Sequence, residues 1–310
     1  MTVEEAKRRW KGPVVPVLTI FKDDLSLDLD GLRGNIRHLL DAGARVGNTV
    51  LLVCGAGGDF PVLTTDERKQ VAETVTDEIQ GRVPIIVGAE HTSTLQVIEL
   101  ARHAVEIGAD AIQVCPPYYY TPSHEDIFHH FEAISDAVEI GIVVYNTWWT
   151  APNIGLEGLE RLATLANLIG VKWSAPTQGE YMMGYDRFAD RLAMIDNGVH
   201  HVYCHMQGGV AWISHVSNFW PEHDWGILEL MEAGRYKEAQ ERINEFNAGF
   251  REFRAEMEAQ TGGEGHAIKK IMELVGLAGG PSRPPTRYVP MTAPQRTTLA
   301  RLLKERMMQG

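Results

Sequence analysis

Only nine lysines occur in the 310 residues, and one of them, Lys172, ends an apolar run, LIGVK (168–172). An ammonium at the end of a buried strand loses water. Desolvation lowers its pKa and frees the neutral amine to attack a carbonyl. One apolar run earlier, GIVVYN ends in Tyr145, whose phenol can pass a proton to or from a substrate oxygen at the same mouth. A third feature, GAGGDF (55–60), follows the run TVLLV and carries three glycines in four residues. Backbone N–H groups can turn inward there and receive a carboxylate. Together, Lys172, Tyr145 and the turn of Ala56, Gly57, Gly58 and Asp59 describe a site for a 2-oxo acid. Each has a plainer reading: a lysine snorkelling at a strand end, a rim tyrosine and a tight turn.

Elements must exist to bring these positions together. Eight short apolar runs recur, at 14–20, 49–53, 84–88, 110–114, 141–145, 169–172, 191–196 and 210–216. Amphipathic segments lie between them, the pattern of βα units feeding a parallel sheet. Thr65, Thr92 and Ser123 are the expected N-caps of three of these helices. Eight such units predict an α/β fold, a (β/α)8 TIM barrel, in which catalytic groups sit at the C-terminal strand ends. No GxGxxG follows the first run, which counts against a dinucleotide site and agrees with an expectation of no cofactor. From about residue 235 the strand pattern stops and three helical segments follow, the last after GGPSRPPTRYVP. The expected division is a catalytic barrel over 1–234 and a C-terminal helical extension over 235–310.

Composition bounds the partners. A formal net charge of −12 offers no basic patch for nucleic acid or for an acidic membrane surface. No apolar run approaches the roughly 18 residues of a membrane span. Three widely spaced cysteines, Cys54, Cys115 and Cys204, argue against a disulfide framework and for a reducing compartment, so the expected location is cytoplasmic.

In that order, PVLTIF (16–21), GAGGDFPVLTTDER (55–68), GRVPIIVGA (81–89), GADAIQVCPPYYYTP (108–122), VVYN (143–146), GVK (170–172) and GGPSRPP (279–285) resemble the dihydrodipicolinate synthase and N-acetylneuraminate lyase superfamily. The resemblance implies Schiff-base chemistry on pyruvate-type acids, with Lys172 forming the imine and Tyr145 moving protons. It implies that Gly57 and Gly58 lie in the carboxylate-binding loop, that Tyr119 enters a neighbouring subunit's site, and that the chain is a homo-oligomer, a dimer or tetramer. The family's loop usually carries hydroxyl residues where Ala56 and Gly57 stand, and Asp59 replaces its usual glutamate. Family members acting on sugar acids show loops closer to GAGGDF.

HHVYCH supplies His200, His201, Cys204 and His205, which are metal-ligand types without a second cluster, and no metal is expected. Glu90 and His91 follow the third run, where an acid or base can meet the variable end of a substrate. Trp148, Trp149, Thr150 and Trp173 follow the fifth and sixth runs and are expected to line the pocket. The indoles lead to the expectation of a lyase that splits a bulky or aromatic aldehyde from pyruvate by aldol or hydratase-aldol chemistry. A 2-keto-3-deoxy sugar-acid aldolase or dehydratase, a dihydrodipicolinate synthase-like enzyme and a non-catalytic barrel scaffold are the alternatives. The lysine-pathway synthases of this superfamily place an arginine where Thr150 stands here, so condensation with aspartate semialdehyde is not expected.

Overall fold

The computed structural model describes residues 1–198 and 200–307. In it the eight apolar runs form a closed parallel barrel in sequence order. The strands are β1 (Gly12–Pro16), β2 (Val50–Val53), β3 (Ile85–Gly88), β4 (Ala111–Val114), β5 (Gly141–Tyr145), β6 (Leu168–Trp173), β7 (Ala193–Asp196) and β8 (Ala211–Ile213). Both faces of such a sheet are covered, so its strands read as unbroken apolar runs rather than alternating ones.

A helix follows each strand: α2 (Leu29–Ala42), α3 (Thr65–Ile79), α4 (Thr94–Glu106), α5 (His124–Ala137), α6 (Gly155–Leu162), α7 (Gln178–Phe188), α8 (His201–Met206) and α9 (Pro221–Glu232). Capping sets their starts. Ser123 and Asp126 form a reciprocal capping box on α5, as expected. On α3 the box is made by Thr64 with Glu67, one residue before the expected Thr65, because only Thr64 has a glutamate three positions on. α4 begins after Ser93 rather than Thr92, and the ring of His91 accepts from the Ser93 N–H at 2.9 Å.

The first and last runs are longer than their strands. Beyond Pro16, Leu18 and Ile20 stay buried in the outer core without continuing the ladder, and beyond Ile213 the chain enters a 3-10 turn at Val216–Asn218. Their apolar character reflects burial under neighbouring elements.

Ahead of β1, α1 (Val3–Arg9) carries its own capping box, Thr2 with Glu5. Ala6 and the fully buried Trp10 join the inner cluster of Val14, Leu52, Ile86, Ala111, Val143 and Ile195. The N-terminal end of the barrel is thereby closed. After α9, α10 (Tyr236–Glu258), α11 (Gly265–Leu274) and α12 (Ala293–Met307) complete the chain. Residues 308–310 of the expected extension lie outside the described residues. Phe246, Phe250, Ile268 and Ile271 from α10 and α11 share one hydrophobic cluster with barrel residues, so these helices pack as part of the same core.

Candidate active site

β6 departs from regular pairing. Opposite β5, Ile142 faces Leu168 and Val143 faces Gly170, so Ile169 is skipped as a β-bulge. The extra residue resets the alternation of side chains. Ile169 and Lys172 point into the barrel and Val171 and Trp173 point out. In register with Tyr145, Lys172 then holds its Nζ 3.8 Å from the centroid of the tyrosine ring. Both side chains are buried, at 4% and 6% exposure. Burial pulls the Lys172 ammonium down to about 8, against the negative charges of Glu264 and Glu90. Burial also pushes the Tyr145 phenol up, helped by the same two carboxyls, while the Asn197 side chain works in the opposite direction. A partly neutral amine therefore faces a protonated phenol.

Trp173 is a correction to the expected pocket lining. It is fully buried in the outer core, its indole N–H donates to the Tyr181 carbonyl at 3.0 Å, and Gly184 packs so close to its Nε1 that a Cβ there would clash. Strand alternation forces this: the residue after an inward lysine faces outward.

The GAGGDF segment forms a 3-10 turn at Ala56–Gly58, closed by Gly58 N–H to Gly55 carbonyl and Asp59 N–H to Ala56 carbonyl. The amides at the head of such a turn, on Ala56 and Gly57, precede the internal bonds and are the donors left for a ligand. Space around the turn is tight: a Cβ on Gly57 would lie 2.9 Å from His215 Nε2, and one on Gly58 would lie 2.8 Å from the Val17 carbonyl. Thr19 Oγ1 donates to the Gly58 carbonyl at 2.7 Å and pins the turn from β1's side. Asp59 is anchored by Lys269 of α11, at 2.7 Å.

Glu90 and His91, adjacent in sequence, part company. His91 is spent on Ser93. Glu90 turns inward, fully buried, where Gln113 of β4 donates to its Oε1, while its Oε2 lies 3.9 Å from the Arg68 guanidinium with no hydrogen-bond partner among the described residues. Burial pushes its carboxyl up. Arg68 of α3 holds the surrounding backbone, donating to the carbonyls of Glu90 at 2.8 Å and Gly88 at 2.7 Å.

The β5–α6 loop is ordered by Asn146, which donates to Asn153 Oδ1 and the Ser174 carbonyl and accepts from the Ile154 N–H. On that scaffold Trp149 packs edge-on to Tyr145, ring centroids 5.8 Å apart, and Trp148 packs on Trp149 at 5.6 Å. Trp148 and Trp149 keep 39% and 49% of their surface exposed. Thr150 turns its hydroxyl back to the Thr147 carbonyl at 3.2 Å. Tyr119 is 80% exposed on the β4–α5 loop, packed edge-on only to Tyr120, outside the inward-facing group.

Residues beyond 235 contribute more than the sequence reading expected. Glu264, just ahead of α11, is the carboxyl whose charge acts most strongly on both Lys172 and Tyr145. Its Oε2 lies 3.7 Å from Nε2 of His215, a residue held neutral by burial, which pushes it down to about 3. Arg283 of the GGPSRPP segment grips Glu67 with two bonds of 2.6 and 2.8 Å and the Leu25 and Val62 carbonyls with three more. No periodicity marked Glu264 or His215. The only signals were the place of Glu264 next to a Gly-Gly pair and that of His215 near the end of the eighth run.

The HHVYCH side chains do not converge on a common point. His201 pairs with Asp196 at 2.7 Å and stacks on Trp212, and Cys204 is buried. Among the described residues no three metal-ligating side chains converge. No helix among them is long and apolar enough to cross a membrane.

Comparison with known proteins agrees with this architecture. A putative dihydrodipicolinate synthetase from Pseudomonas aeruginosa superimposes with a TM-score of 0.85 at 22% identity, over 95% of this chain and 99% of that one, which concerns the fold alone. A prophage protein of the dihydrodipicolinic acid synthase family from E. coli K12, solved in complex with pyruvate, gives 0.81 at 26% identity over 95% and 98%. The 4-hydroxy-tetrahydrodipicolinate synthase of Methanopyrus kandleri is 32% identical over 282 residues, 89% of this chain and 90% of its own length. That of Chloroherpeton thalassium is 32% identical over 243 residues, 77% and 79%. The dihydrodipicolinate synthetase family matches residues 9–306, and the chain belongs to that family of Schiff-base-forming lyases.

Proposed function

We propose that Lys172 forms the Schiff base with a 2-oxo acid such as pyruvate, and that the enzyme makes or breaks the bond between that acid and a bulky or aromatic aldehyde. The observation that carries this reading is the buried Lys172 amine, pulled down to about 8 and stacked 3.8 Å over the Tyr145 ring. At that value roughly a tenth of the amine is neutral at pH 7, against about three in ten thousand for an ordinary lysine. The amine adds to the C2 carbonyl, and the Tyr145 phenol gives its proton to the departing hydroxyl. The resulting iminium lies beside a phenolate. In the cleavage direction the electron pair of the C3–C4 bond moves into the iminium, forming an enamine, and the phenolate takes the proton of the C4 hydroxyl as the aldehyde forms. The acid's carboxylate rests on the Ala56 and Gly57 amides, and Trp148 and Trp149 offer flat surface to the aldehyde.

The test is to incubate the protein with pyruvate and borohydride and to locate the reduced adduct by mass spectrometry. Labelling of Lys172, absent in Lys172→Ala, is the expected result. An unmodified Lys172 with pyruvate and with longer 2-oxo acids would overturn the reading.

A further inference from the structure

The mouth of the barrel has a second side. Past the ends of β7 and β8, a cavity of about 240 Å³ lies between the barrel and α10, lined among others by Ser214, His215, Asn247, Arg251, Arg254 and Glu258. Gly198, two residues beyond β7, also borders it, and β7 is the strand paired with β6, Lys172 standing opposite Ile195. His215 is the shared wall. Its ring abuts Gly57 of the carboxylate turn on one side and faces the cavity on the other, and its Nε2, on a side chain nine-tenths buried and 3.7 Å from Glu264, has no hydrogen-bond partner among the described residues.

The charges in this cavity do not cancel. Glu258 is the one acid among the described residues that line it, and it pairs with Arg254 through a single oxygen, Oε1, taking bonds from Nε at 3.2 Å and Nη2 at 2.7 Å. The remaining Nη1 of Arg254 makes no described hydrogen bond, and Arg251 makes no described hydrogen bond or ion pair. A guanidinium fork with a free edge, beside a second unpaired guanidinium, suits a planar carboxylate. The volume is below the roughly 300–1,000 Å³ of drug-sized pockets and suits the end of a short chain.

We infer that the substrate carries a second carboxylate at its far end, and that Arg254, supported by Arg251, holds it in the cavity beside His215. This rests on the Schiff-base reading above, and it gives the substrate a direction: first carboxylate on the 56–57 turn, C2 at Lys172, the remote acid toward α10.

The test compares 2-oxoadipate with 2-oxohexanoate, chains of equal length that differ in having a terminal carboxylate or a methyl. Affinities are read by calorimetry, and imine formation on Lys172 by borohydride trapping. The native protein is expected to bind the dicarboxylic acid about tenfold or more tightly than its neutral counterpart. In Arg254→Gln that ratio falls to within about twofold, and in Glu258→Gln, which frees the guanidinium, it rises. Because each is a ratio within one protein, general damage to the fold does not imitate it. Equal affinity for the two acids in the native protein, or a ratio that persists in Arg254→Gln combined with Arg251→Gln, would overturn the inference. A calorimetric preference that persists while no 2-oxo acid is trapped on Lys172 upholds the subsite and removes the Schiff-base reading instead.

Discussion

The Lys172 ammonium sits 3.8 Å from the centroid of the Tyr145 ring, and the two influences on its charge oppose each other. The electron-rich ring face favours the cation, while loss of water favours the neutral amine. Burial prevails, leaving a value of about 8, and the Glu264 and Glu90 carboxyls keep it from falling further.

The first prediction concerns pH. Trapping of pyruvate on Lys172 is expected to be slow in acid, to rise through about pH 8 and to level off above it, because only the neutral amine adds. Glu264 raises the lysine's pKa, so Glu264→Gln should move that acid limb to lower pH and raise the rate near neutrality. An acid limb that stays put in Glu264→Gln would place the carboxylate outside the electrostatics of the site.

For Tyr145→Phe the ring beneath the ammonium remains and only the proton carrier is lost. Turnover should fall by about 10²–10⁴, with a small change in KM. Borohydride should still label Lys172, more slowly. A kcat near the native value would reduce Tyr145 to a supporting aromatic surface.

Asp59 is the partner of Lys269, whose side chain is fully buried. Asp59→Asn leaves that cation without a counter-charge and should cost about 3–5 kcal/mol of stability, read as a fall in denaturation midpoint. Affinity for pyruvate should weaken in the same variant, since the pair fixes the turn that carries the Ala56 and Gly57 amides.

On the aldehyde side, Trp149→Ala should raise KM for aryl substrates and leave polyhydroxy ones comparatively unaffected. Exclusive turnover of polyhydroxy acids by the native enzyme would favour the sugar-acid alternative. Condensation of pyruvate with aspartate semialdehyde should be poor: Thr150 offers one neutral hydroxyl, already turned to Thr147, where an arginine would grip a carboxylate twice. The difference is worth about 1.5–3 kcal/mol, one to two orders of magnitude in capture. Efficient condensation in a coupled assay would refute this.

The barrel was legible because strands covered on both faces must be continuously apolar, and eight such runs alternating with capped helices admit few arrangements. Lys172 and Tyr145 were legible because each ended such a run. The outward turn of Trp173 was missed because the sixth run was ended at Lys172, whereas β6 continues through Trp173 and alternation then turns the indole away from the lysine's side. Glu264 and Arg254 come from just ahead of α11 and from α10, where no strand periodicity marks them, and Gln113 and His215 lie inside the fourth and eighth apolar runs, where a polar residue is not told apart from core by the run itself. Glu90 and His91 could be placed at the mouth, but which of the two would turn inward depended on His91 finding the Ser93 amide.

The inner side chains fill the barrel and α1 and Trp10 cover its N-terminal end, so reactants come and go through the mouth. With one doorway, and with Lys172 carrying the 2-oxo acid as proposed, that acid would be the innermost passenger and an aldehyde seated against Trp149 would lie between it and solvent. In the cleavage direction the aldehyde departs first and the acid last, an ordered sequence. Pyruvate then competes with the intact substrate for the empty enzyme, whereas the aldehyde meets an enzyme already carrying the enamine and inhibits without competing.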